Sequence, residues 1–448
     1  MRLFAIAIAT VLIAAAPPSS TQPVVLSDDG GWCWFQDPRA IVLDENRLIV
    51  GSVANGRSDP DRKGDIEALV FDRASGKTTR VELHDRLGAD DHNVPAFLVR
   101  PDGRLLTFYA KHGAEARAYY RISEPNDPTR WGPIRTFEPS PKTRLTYSNL
   151  YRLPAENGRV YDFFRGLNAS FKPSYAYSDD EGETWTTGSV IIRSPAARPY
   201  VRYASDGRGS IHLLYTEGHP KDFDNSLYHV VYRDGQLRRS DGTPIRPLAE
   251  GLNDPAEGVR IFQGDADHVA WCSDIKLDAD KRPVAVYSVQ VGSGDAPPGK
   301  AGDDLRYRYA RFDGERWADE PLAFAGERLY AGEDDYSGLV SIDPDDVRVV
   351  YFSTNADPER GTPLKSAADG KRHYEIFRGV TDDGGASWAF EPITRDSTAD
   401  NLRPIIPARG PGGWTALLWL RGAYRAYTDY DQEVVALPLG VGDPSGRR

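Results

Sequence analysis

Polar clusters and apolar runs alternate along this 448-residue chain in a pattern that repeats seven times. Each unit opens with a polar cluster, continues through an apolar run, a turn rich in Gly, Asp or Asn and a second apolar run, and ends in another polar cluster. Alternating apolar positions with β-branched and aromatic residues predict an antiparallel hairpin for each unit. The units begin, roughly 50 to 70 residues apart, at Gln36, Asp91, Tyr147, Arg198, Cys272, Tyr336 and Asn401.

This recurrence favours one repeat array over the two or three domains that the length alone would suggest. Shorter strand pairs with turn signals lie between the hairpins, and the sequence has no long helical periodicity. We therefore predict an all-β fold, a seven-bladed β-propeller of four-stranded antiparallel blades, in a single domain over residues 23–441. The segment Val24–Ser27 is expected to pair with the late strand around Glu433–Leu437 and close the ring.

Two short motifs, Ser178 to Trp185 and Thr381 to Trp388, fit the pattern S/T-x-D-x-G-x-S/T-W. This is the Asp-box of sialidase-type propellers, a turn between outer strands in which Asp and Ser/Thr satisfy backbone groups and Trp plugs the blade. The motifs support the propeller. They carry no information about catalysis, because Asp-boxes lie away from the functional face.

The composition and the terminal segments of the sequence indicate which kinds of binding partner and which cellular compartment to expect. A positive charge, a short apolar run and small residues predict a secretory signal peptide over residues 1–22, so we expect a periplasmic or secreted protein. Residues 442–448 are predicted to be a disordered tail, and no segment is apolar for long enough to cross a bilayer. A formal net charge of −11 argues against a nucleic-acid partner. We expect the protein to be a monomer. Cys33 and Cys272 can form one bridge, remain thiols or bind a metal.

The polar ends of the hairpins are expected to converge on one face, where neighbouring blades supply side chains at equivalent positions. The candidate catalytic residues are His92 and His112 of the second blade and Tyr147 and Arg165 of the third. The candidate substrate-binding residues are Asn93, Asn149 and, on the fourth blade, Tyr215. The fourth blade also presents Arg198 and Tyr200 at its start.

A set of Tyr, His and Arg suits β-elimination at a uronic acid. The C5 proton is only weakly acidic while the neighbouring carboxylate is charged, and a guanidinium bound bidentately to that carboxylate stabilises the enediolate-like transition state. A base then removes the C5 proton and an acid protonates the oxygen that leaves C4. Either Tyr147 or His92 can be the base, because a nearby cation eases the loss of the Tyr proton.

A second group lies at the junction of the fourth and fifth blades. Three imidazoles and a thiolate are a reasonable ligand set for a structural metal ion, Zn²⁺ or alternatively Ca²⁺, although the spacing is not a local ligand motif. The residues are His219, His229, His268 and Cys272. No cofactor is required for the elimination itself.

Several segments resemble those of the BNR-repeat, seven-bladed propeller polysaccharide lyases, which include ulvan lyases and L-rhamnose-α-1,4-D-glucuronate lyases. They are WCWFQDPRA from Trp32, DDHNVPAF from Asp90, YAKHG from Tyr109, YSNLYRL from Tyr147, FFRG from Phe163, and RPYVRYASDG with LLYTEGHP from Arg198 to Pro220. The resemblance extends over the whole mature chain.

This resemblance implies that Arg165 neutralises the uronate carboxylate, that Tyr147, His92 and His112 share proton transfer, and that Tyr215 matches a further Tyr of the group. It implies cleavage of rhamnosyl-(α1,4)-glucuronate linkages in an anionic uronic-acid-containing polysaccharide, with a 4,5-unsaturated uronate as product. The polymer is either ulvan or a rhamnose-capped arabinogalactan such as gum arabic. Some members bind a structural metal.

Two other functions stay open. A sialidase-type exo-glycoside hydrolase would hold a carboxylate with an arginine triad, for which the chain offers Arg39, Arg165, Arg403 and Arg421. A non-catalytic glycan-binding propeller would bind without turnover. The ultraviolet absorbance of an unsaturated product separates elimination from both.

Overall fold

A computed structural model describes residues 22–292 and 300–440. The predicted tail and, apart from Gln22, the predicted signal peptide lie outside these residues. Within them, the strands form seven antiparallel sheets, and the first strands of most neighbouring blades contact each other. The structure is the predicted seven-bladed β-propeller. No helix in the described ranges is both long and apolar enough to span a membrane.

The N-terminal strand β1 (Val24–Ser27) belongs to the last blade, and blades one to four follow it in chain order. Blade one contains β2 (Ala40–Val42), β3 (Arg47–Val53), β4 (Ile66–Asp72) and β5 (Lys77–His84). Blade two contains β6 (Ala96–Val99), β7 (Leu105–Ala110), β8 (Ala118–Glu124), β9 (Asp127–Trp131) and β10 (Arg135–Phe137). Blade three contains β11 (Thr146–Leu153), β12 (Arg159–Gly166), β13 (Lys172–Ser178) and β14 (Thr186–Val190). Blade four contains β15 (Val201–Ser205), β16 (Ser210–Tyr215), β17 (Leu227–Arg233), β18 (Gln236–Arg238), β19 (Pro244–Pro247) and β20 (Val259–Phe262).

Blades five to seven complete the ring. Blade five contains β21 (His268–Leu277), β22 (Pro283–Val291), β23 (Leu305–Phe312) and β24 (Trp317–Gly326). Blade six contains β25 (Val340–Ile342), β26 (Val349–Thr354), β27 (Glu375–Val380) and β28 (Ala389–Pro392). Blade seven contains β29 (Asn401–Ile405), β30 (Thr415–Ala426), β31 (Asp429–Leu439) and β1. Short 3-10 helices lie in the connections, at Pro60–Arg62, Asp91–Asn93, Pro154–Glu156, Pro220–Asp222, Pro255–Glu257 and Pro411–Gly413.

The ring is closed by pairing between the two ends of the described chain. Val24 of β1 pairs with Ala436 of β31, and Val25 pairs with Val435. The predicted closure is therefore confirmed. Because β1 completes a sheet whose other three strands come from residues 401–439, blade seven is complete only when the two ends of the described chain are together.

The two turns with the S/T-x-D-x-G-x-S/T-W pattern make the same hydrogen bonds. In the first, Asp180 accepts from the backbone N–H and the hydroxyl of Thr184, at 2.8 and 2.6 Å. In the second, Asp383 accepts from the same two groups of Ser387, at 2.9 and 2.6 Å. Trp185 of the first turn lies edge-on to Phe108 of blade two, so this turn ties two neighbouring blades together.

The segment Trp32–Asp37 lies at the centre of the ring and forms the floor of its polar face. Its backbone is hydrogen-bonded to Asp91 before blade two, Ser148 in blade three, Arg202 in blade four and Arg403 in blade seven. Most of its side chains are buried. This central segment fixes the inner strands relative to one another, and the functional side chains described below rest on it.

Candidate active site

An open cleft of about 290 Å³ lies on the face where the first strands begin and the second strands end. Blades two, three, four and seven and the connection between blades five and six all reach it. Its lining includes His92, His112, Arg144, Arg165, Phe171, Arg198, Tyr200, His219, Glu333, Tyr336 and Tyr427. Arginine and histidine side chains make up six of these eleven residues, although the net charge of the whole protein is −11.

Two histidines form one stacked pair at the blade-two side of the cleft. The rings of His92 and His112 are parallel within 4°, with centroids 3.9 Å apart. Their Nδ1 atoms contact the two oxygens of the Asp90 carboxylate, at 2.8 and 3.0 Å. Asp90 also caps the 3-10 helix Asp91–Asn93 by accepting from the backbone N–H of His92. The Asp90 carboxylate therefore orients both rings, and the Nε2 atom of each ring lies on the edge away from Asp90.

The two rings differ in charge. Burial and the neighbouring charge of His92 lower the pKa of His112 to about 4, although its hydrogen bond to Asp90 opposes this shift. Burial also acts against the charge of His92, but the acidic groups around its ring, including Asp91 and Asp90, raise its pKa well above the usual value. At neutral pH the pair therefore consists of a cationic His92 and a neutral His112.

Tyr147 and Arg165 stand beside this pair on the first two strands of blade three. The guanidinium carbon of Arg165 lies 4.8 Å from the ring centroid of Tyr147 and 4.6 Å from that of Tyr200. Arg165 is only 5% exposed, and its Nε and Nη1 have no acceptor among the described residues. The Tyr147 hydroxyl is likewise buried without a partner in these residues. Buried polar groups without a hydrogen-bond partner cost free energy. Their presence here is therefore typical of a site that binds a polar ligand.

The backbone of Tyr147 is strained. Its φ of +69° lies in the left-handed region, at a register shift between Thr146 and Asn149 in the pairing of β11 with β12. A bulky residue in this conformation costs roughly 1–3 kcal/mol and persists where the surrounding structure enforces it. The irregularity turns the phenol toward the histidine pair, with ring centroids 5.7 Å from His92.

The expected effect of nearby cations on Tyr147 is present, but burial outweighs it. Burial raises the pKa of Tyr147 well above its ordinary value, and the charges of Arg165 and His92 only partly offset it. The Tyr147 hydroxyl therefore keeps its proton at neutral pH and is a potential proton donor.

Asp91 links His92 of the histidine pair to blade seven. One of its oxygens contacts His92 Nδ1 at 2.8 Å, and the other accepts from the guanidinium of Arg403 and, at 2.8 Å, from the hydroxyl of Tyr424. Arg403 and Tyr424 belong to blade seven, and both are buried. The orientation of His92 consequently depends on the closed ring.

The three predicted substrate-binding residues do not line the cleft. The Asn93 amide joins the carbonyl of Gly88 to the backbone N–H of His112, at 2.9 Å each. The Asn149 amide donates to the carbonyls of Phe35 and Phe163, at 3.0 Å each. Tyr215 is fully buried and donates its hydroxyl to the Pro255 carbonyl at 2.7 Å. All three hold backbone in place, because their side chains point into the sheets or the central segment.

The predicted metal ligands are not brought together. His219 lines the cleft, whereas His229 is buried against His212 and Ser240. His268 is half-exposed and pairs with Asp265, and Cys272 lies in the core of blade five. The prediction failed because strand neighbours alternate between faces, so similar positions at a blade junction need not converge. Cys33 and Cys272 are separate buried thiols.

Two other groups in the described ranges place three potential donor atoms within 4.8 Å of one another. They are Asp90, His92 and His112, and Cys33, Asp91 and His92. The spacing of the first group is that of the hydrogen bonds between the two imidazoles and the Asp90 carboxylate. In the second group, Asp91 Oδ1 contacts His92 Nδ1 at 2.8 Å as an ion pair. We therefore assign no metal to either.

The sequence reasoning missed Asp90, Asp91, Tyr427 and Glu333. The first two directly precede His92, so the run DDHN could have indicated a site built from carboxylates and imidazoles. Tyr427 lies at the tip of the last hairpin, with its ring edge-on to His92 at 5.2 Å, and the length of that hairpin was not predicted. Glu333 lies in a connection between blades, where the repeat pattern gives no signal.

A sequence profile described as a BNR repeat-containing family member matches residues 56–325. Ulvan Lyase-PL25 of Pseudoalteromonas sp. (strain PLSV) is 19% identical over 351 residues, which cover 69% of this chain and 67% of that protein.

Solved structures of polysaccharide lyases share the fold. A PL25 ulvan lyase superposes with a TM-score of 0.68 at 15% identity, covering 95% of this chain and 99% of its own. The same values hold for its complex with -[GlcA(1-4)Rha3S]-. Polysaccharide lyase Uly1 gives a TM-score of 0.59 at 11% identity, covering 93% of this chain and 98% of its own.

Proposed function

The chain belongs to the BNR repeat-containing family, and we propose that it is a polysaccharide lyase that cleaves rhamnosyl-(α1,4)-glucuronate linkages by β-elimination. Its substrate is an anionic polysaccharide that contains uronic acid, and its product carries a 4,5-unsaturated uronate. Among the relatives named above, those of the PL25 family are ulvan lyases. A rhamnose-capped arabinogalactan offers the same linkage.

The observation that carries this proposal is the buried Arg165 guanidinium, with two nitrogens that have no acceptor in the described residues. It lies between two phenol rings and lines the same cleft as the cationic His92, so a uronate carboxylate bound in this cleft can meet two positive groups. Neutralising that carboxylate lowers the energy of the enediolate-like transition state. Losing one such donor typically costs about 10²- to 10³-fold in rate.

Proton transfer is divided between His112 and Tyr147. His112 is neutral and hydrogen-bonded through Nδ1 to Asp90, so its Nε2 carries the lone pair and acts as the base for the C5 proton. The electron pair of the broken C5–H bond forms the C4–C5 double bond and the bond from C4 to its oxygen breaks. Tyr147, which keeps its proton in the free enzyme, donates it to the departing oxygen.

The hydrolase alternative is not favoured by the placement of the arginines. Arg39 donates to the Cys33 carbonyl, Arg403 binds Asp91, and Arg421 pairs with Glu433. None of these three arginines therefore joins Arg165 in the cleft. A glycan-binding propeller remains the second candidate, and turnover separates it from the lyase.

The test is incubation of the purified protein with ulvan, gum arabic and a sialoside. Elimination gives ultraviolet absorbance from the conjugated unsaturated uronate and no new saturated uronate end. Reducing ends without absorbance would indicate hydrolysis. Retention of the polymer on the immobilised protein without any product would indicate a binding module.

A further inference from the structure

Glu333 lies in the connection between β24 and β25 and forms part of the cleft wall. Its side chain is 16% exposed, and its Oε2 is buried without a hydrogen-bond partner among the described residues. The nearest basic nitrogens, His219 Nε2 and Lys221 Nζ, are 4.0 and 3.9 Å from its oxygens. These distances are too long for direct hydrogen bonds. The carboxylate thus presents an unused acceptor to the cleft.

His219 supplies a donor that matches this acceptor. Its Nδ1 accepts from the backbone N–H of Lys221 at 3.2 Å, so the proton of the neutral ring is on Nε2, the atom that faces Glu333. A hydroxyl group placed between the two can accept from His219 Nε2 and donate to Glu333 Oε2. A separation of 4.0 Å leaves room for one such oxygen at normal hydrogen-bond lengths from both.

Glu333 and His219 lie along the cleft next to the position proposed for the uronate. Arg165 packs on the Tyr200 ring, and that ring lies 5.4 Å from the His219 ring, centroid to centroid. A sugar bound beside the uronate on this side therefore reaches Glu333 and His219. The exposed Arg144, which also lines the cleft, has no ion-pair partner in the part of the chain described.

We propose that Glu333, together with His219, is a specificity-determining residue that binds a hydroxyl group of the sugar next to the uronate and selects against a sulfate ester at that position. A sulfate ester removes the hydroxyl donor and places negative charge against a carboxylate. The inference rests on the proposed function and deepens it. The enzyme then prefers the unsulfated form of a glucuronate–rhamnose polymer.

The experiment compares kcat/KM on one glucuronate–rhamnose polymer sulfated on rhamnose and on the same polymer after chemical desulfation. The wild-type enzyme is expected to prefer the desulfated polymer by about tenfold or more, since a hydrogen bond to a charged group contributes about that factor. Glu333→Gln is expected to reduce this preference about tenfold, mainly through KM. Glu315→Gln removes an exposed Glu in the turn between β23 and β24 and serves as the matched control, with an unchanged preference.

Equal or greater kcat/KM of the wild type on the sulfated polymer overturns the inference and needs no variant that folds. An unchanged preference in Glu333→Gln overturns it as well. Both results leave the elimination intact, because unsaturated product is still formed. No ultraviolet-absorbing product from either polymer overturns the proposed function itself, and this inference with it.

Discussion

The Asp91 carboxylate binds the guanidinium of Arg403, which lies 312 residues later in the chain. Asp91 is next to His92 in the connection between blades one and two, whereas Arg403 is on the first strand of blade seven. Both side chains are buried, and Arg403 also donates to the backbone of Trp32 in the central segment. The candidate site and the closure of the ring therefore share one ion pair.

Replacing Arg403 by Met is expected to lower the free energy of unfolding by about 3–5 kcal/mol, because it leaves a buried carboxylate without its partner. kcat should fall in parallel, since Asp91 orients His92. Urea denaturation with a steady-state assay on the same samples measures both. In the double variant Arg403→Met with Asp91→Asn, part of the stability is expected to return while kcat stays low. Additive losses in stability would contradict a direct pairing.

The pH dependence of kcat/KM reports the state of His112 in the free enzyme. The folded-state pKa of about 4 is below the ordinary 6.5, so the ring remains a competent base until the pH falls to about 4. We expect the acidic limb of the profile near that pH. On the alkaline side, activity should decline as His92 loses its proton, above pH 6.5.

The substrate carboxylate also titrates at low pH, and His92→Gln separates the two groups. Removing the His92 charge takes away an influence that lowers the His112 pKa, so the acidic limb should move to higher pH, together with a lower kcat. A limb that belonged to the substrate would not move. A wild-type limb near pH 6.5 would contradict the assignment of a neutral His112.

The repeat pattern was sufficient to predict the blades and the face on which the site lies. Each hairpin is specified locally, by alternating apolar positions and turn residues, and the pairing of Val24–Ser27 with β31 followed from the need to close the ring. His92, His112, Tyr147 and Arg165 were predicted together because they occupy equivalent ends of adjacent hairpins. The structure brings His92, His112 and Arg165 to one cleft, and Tyr147 lines an adjoining recess with Arg165.

Side-chain direction and charge could not be read from position alone. Asn149 and Tyr215 occupy polar-end positions but point into packed interfaces, where they bind carbonyl groups. The protonation of Tyr147 depends on burial by the central segment and by blade four, and both contacts are long-range. Glu333 belongs to a connection outside the repeat, so its approach to His219 follows only from the folded ring.

Tyr215→Phe tests the corrected role of Tyr215. The substitution removes the donor to the Pro255 carbonyl and leaves that buried acceptor unpaired, so the free energy of unfolding should fall by about 1–3 kcal/mol. kcat and KM should match the wild type, because the hydroxyl does not reach the cleft. Chemical denaturation and a progress curve on the same preparation suffice. A raised KM with unchanged stability would restore Tyr215 as a substrate-binding residue.

Tyr147→Phe and Arg165→Lys test the chemistry most directly. Tyr147→Phe keeps the ring that packs on Arg165 and removes a hydroxyl that has no partner in the described residues, so the thermal midpoint should stay nearly unchanged. kcat should fall about 10²- to 10⁴-fold, since the leaving oxygen loses its proton donor. Arg165→Lys keeps the positive charge but not the bidentate geometry, and about 10²-fold loss is expected.

These two variants also decide between a lyase and a binding propeller. Both should still bind the polymer, which isothermal calorimetry can measure, while ultraviolet-absorbing product forms far more slowly. Tyr215→Phe provides the matched loss of a buried phenol hydroxyl outside the cleft. Near-native kcat in Tyr147→Phe would exclude Tyr147 as the acid and assign protonation of the leaving oxygen to another group. The cationic His92, whose ring centroid is 5.7 Å from that of Tyr147, would then be the candidate.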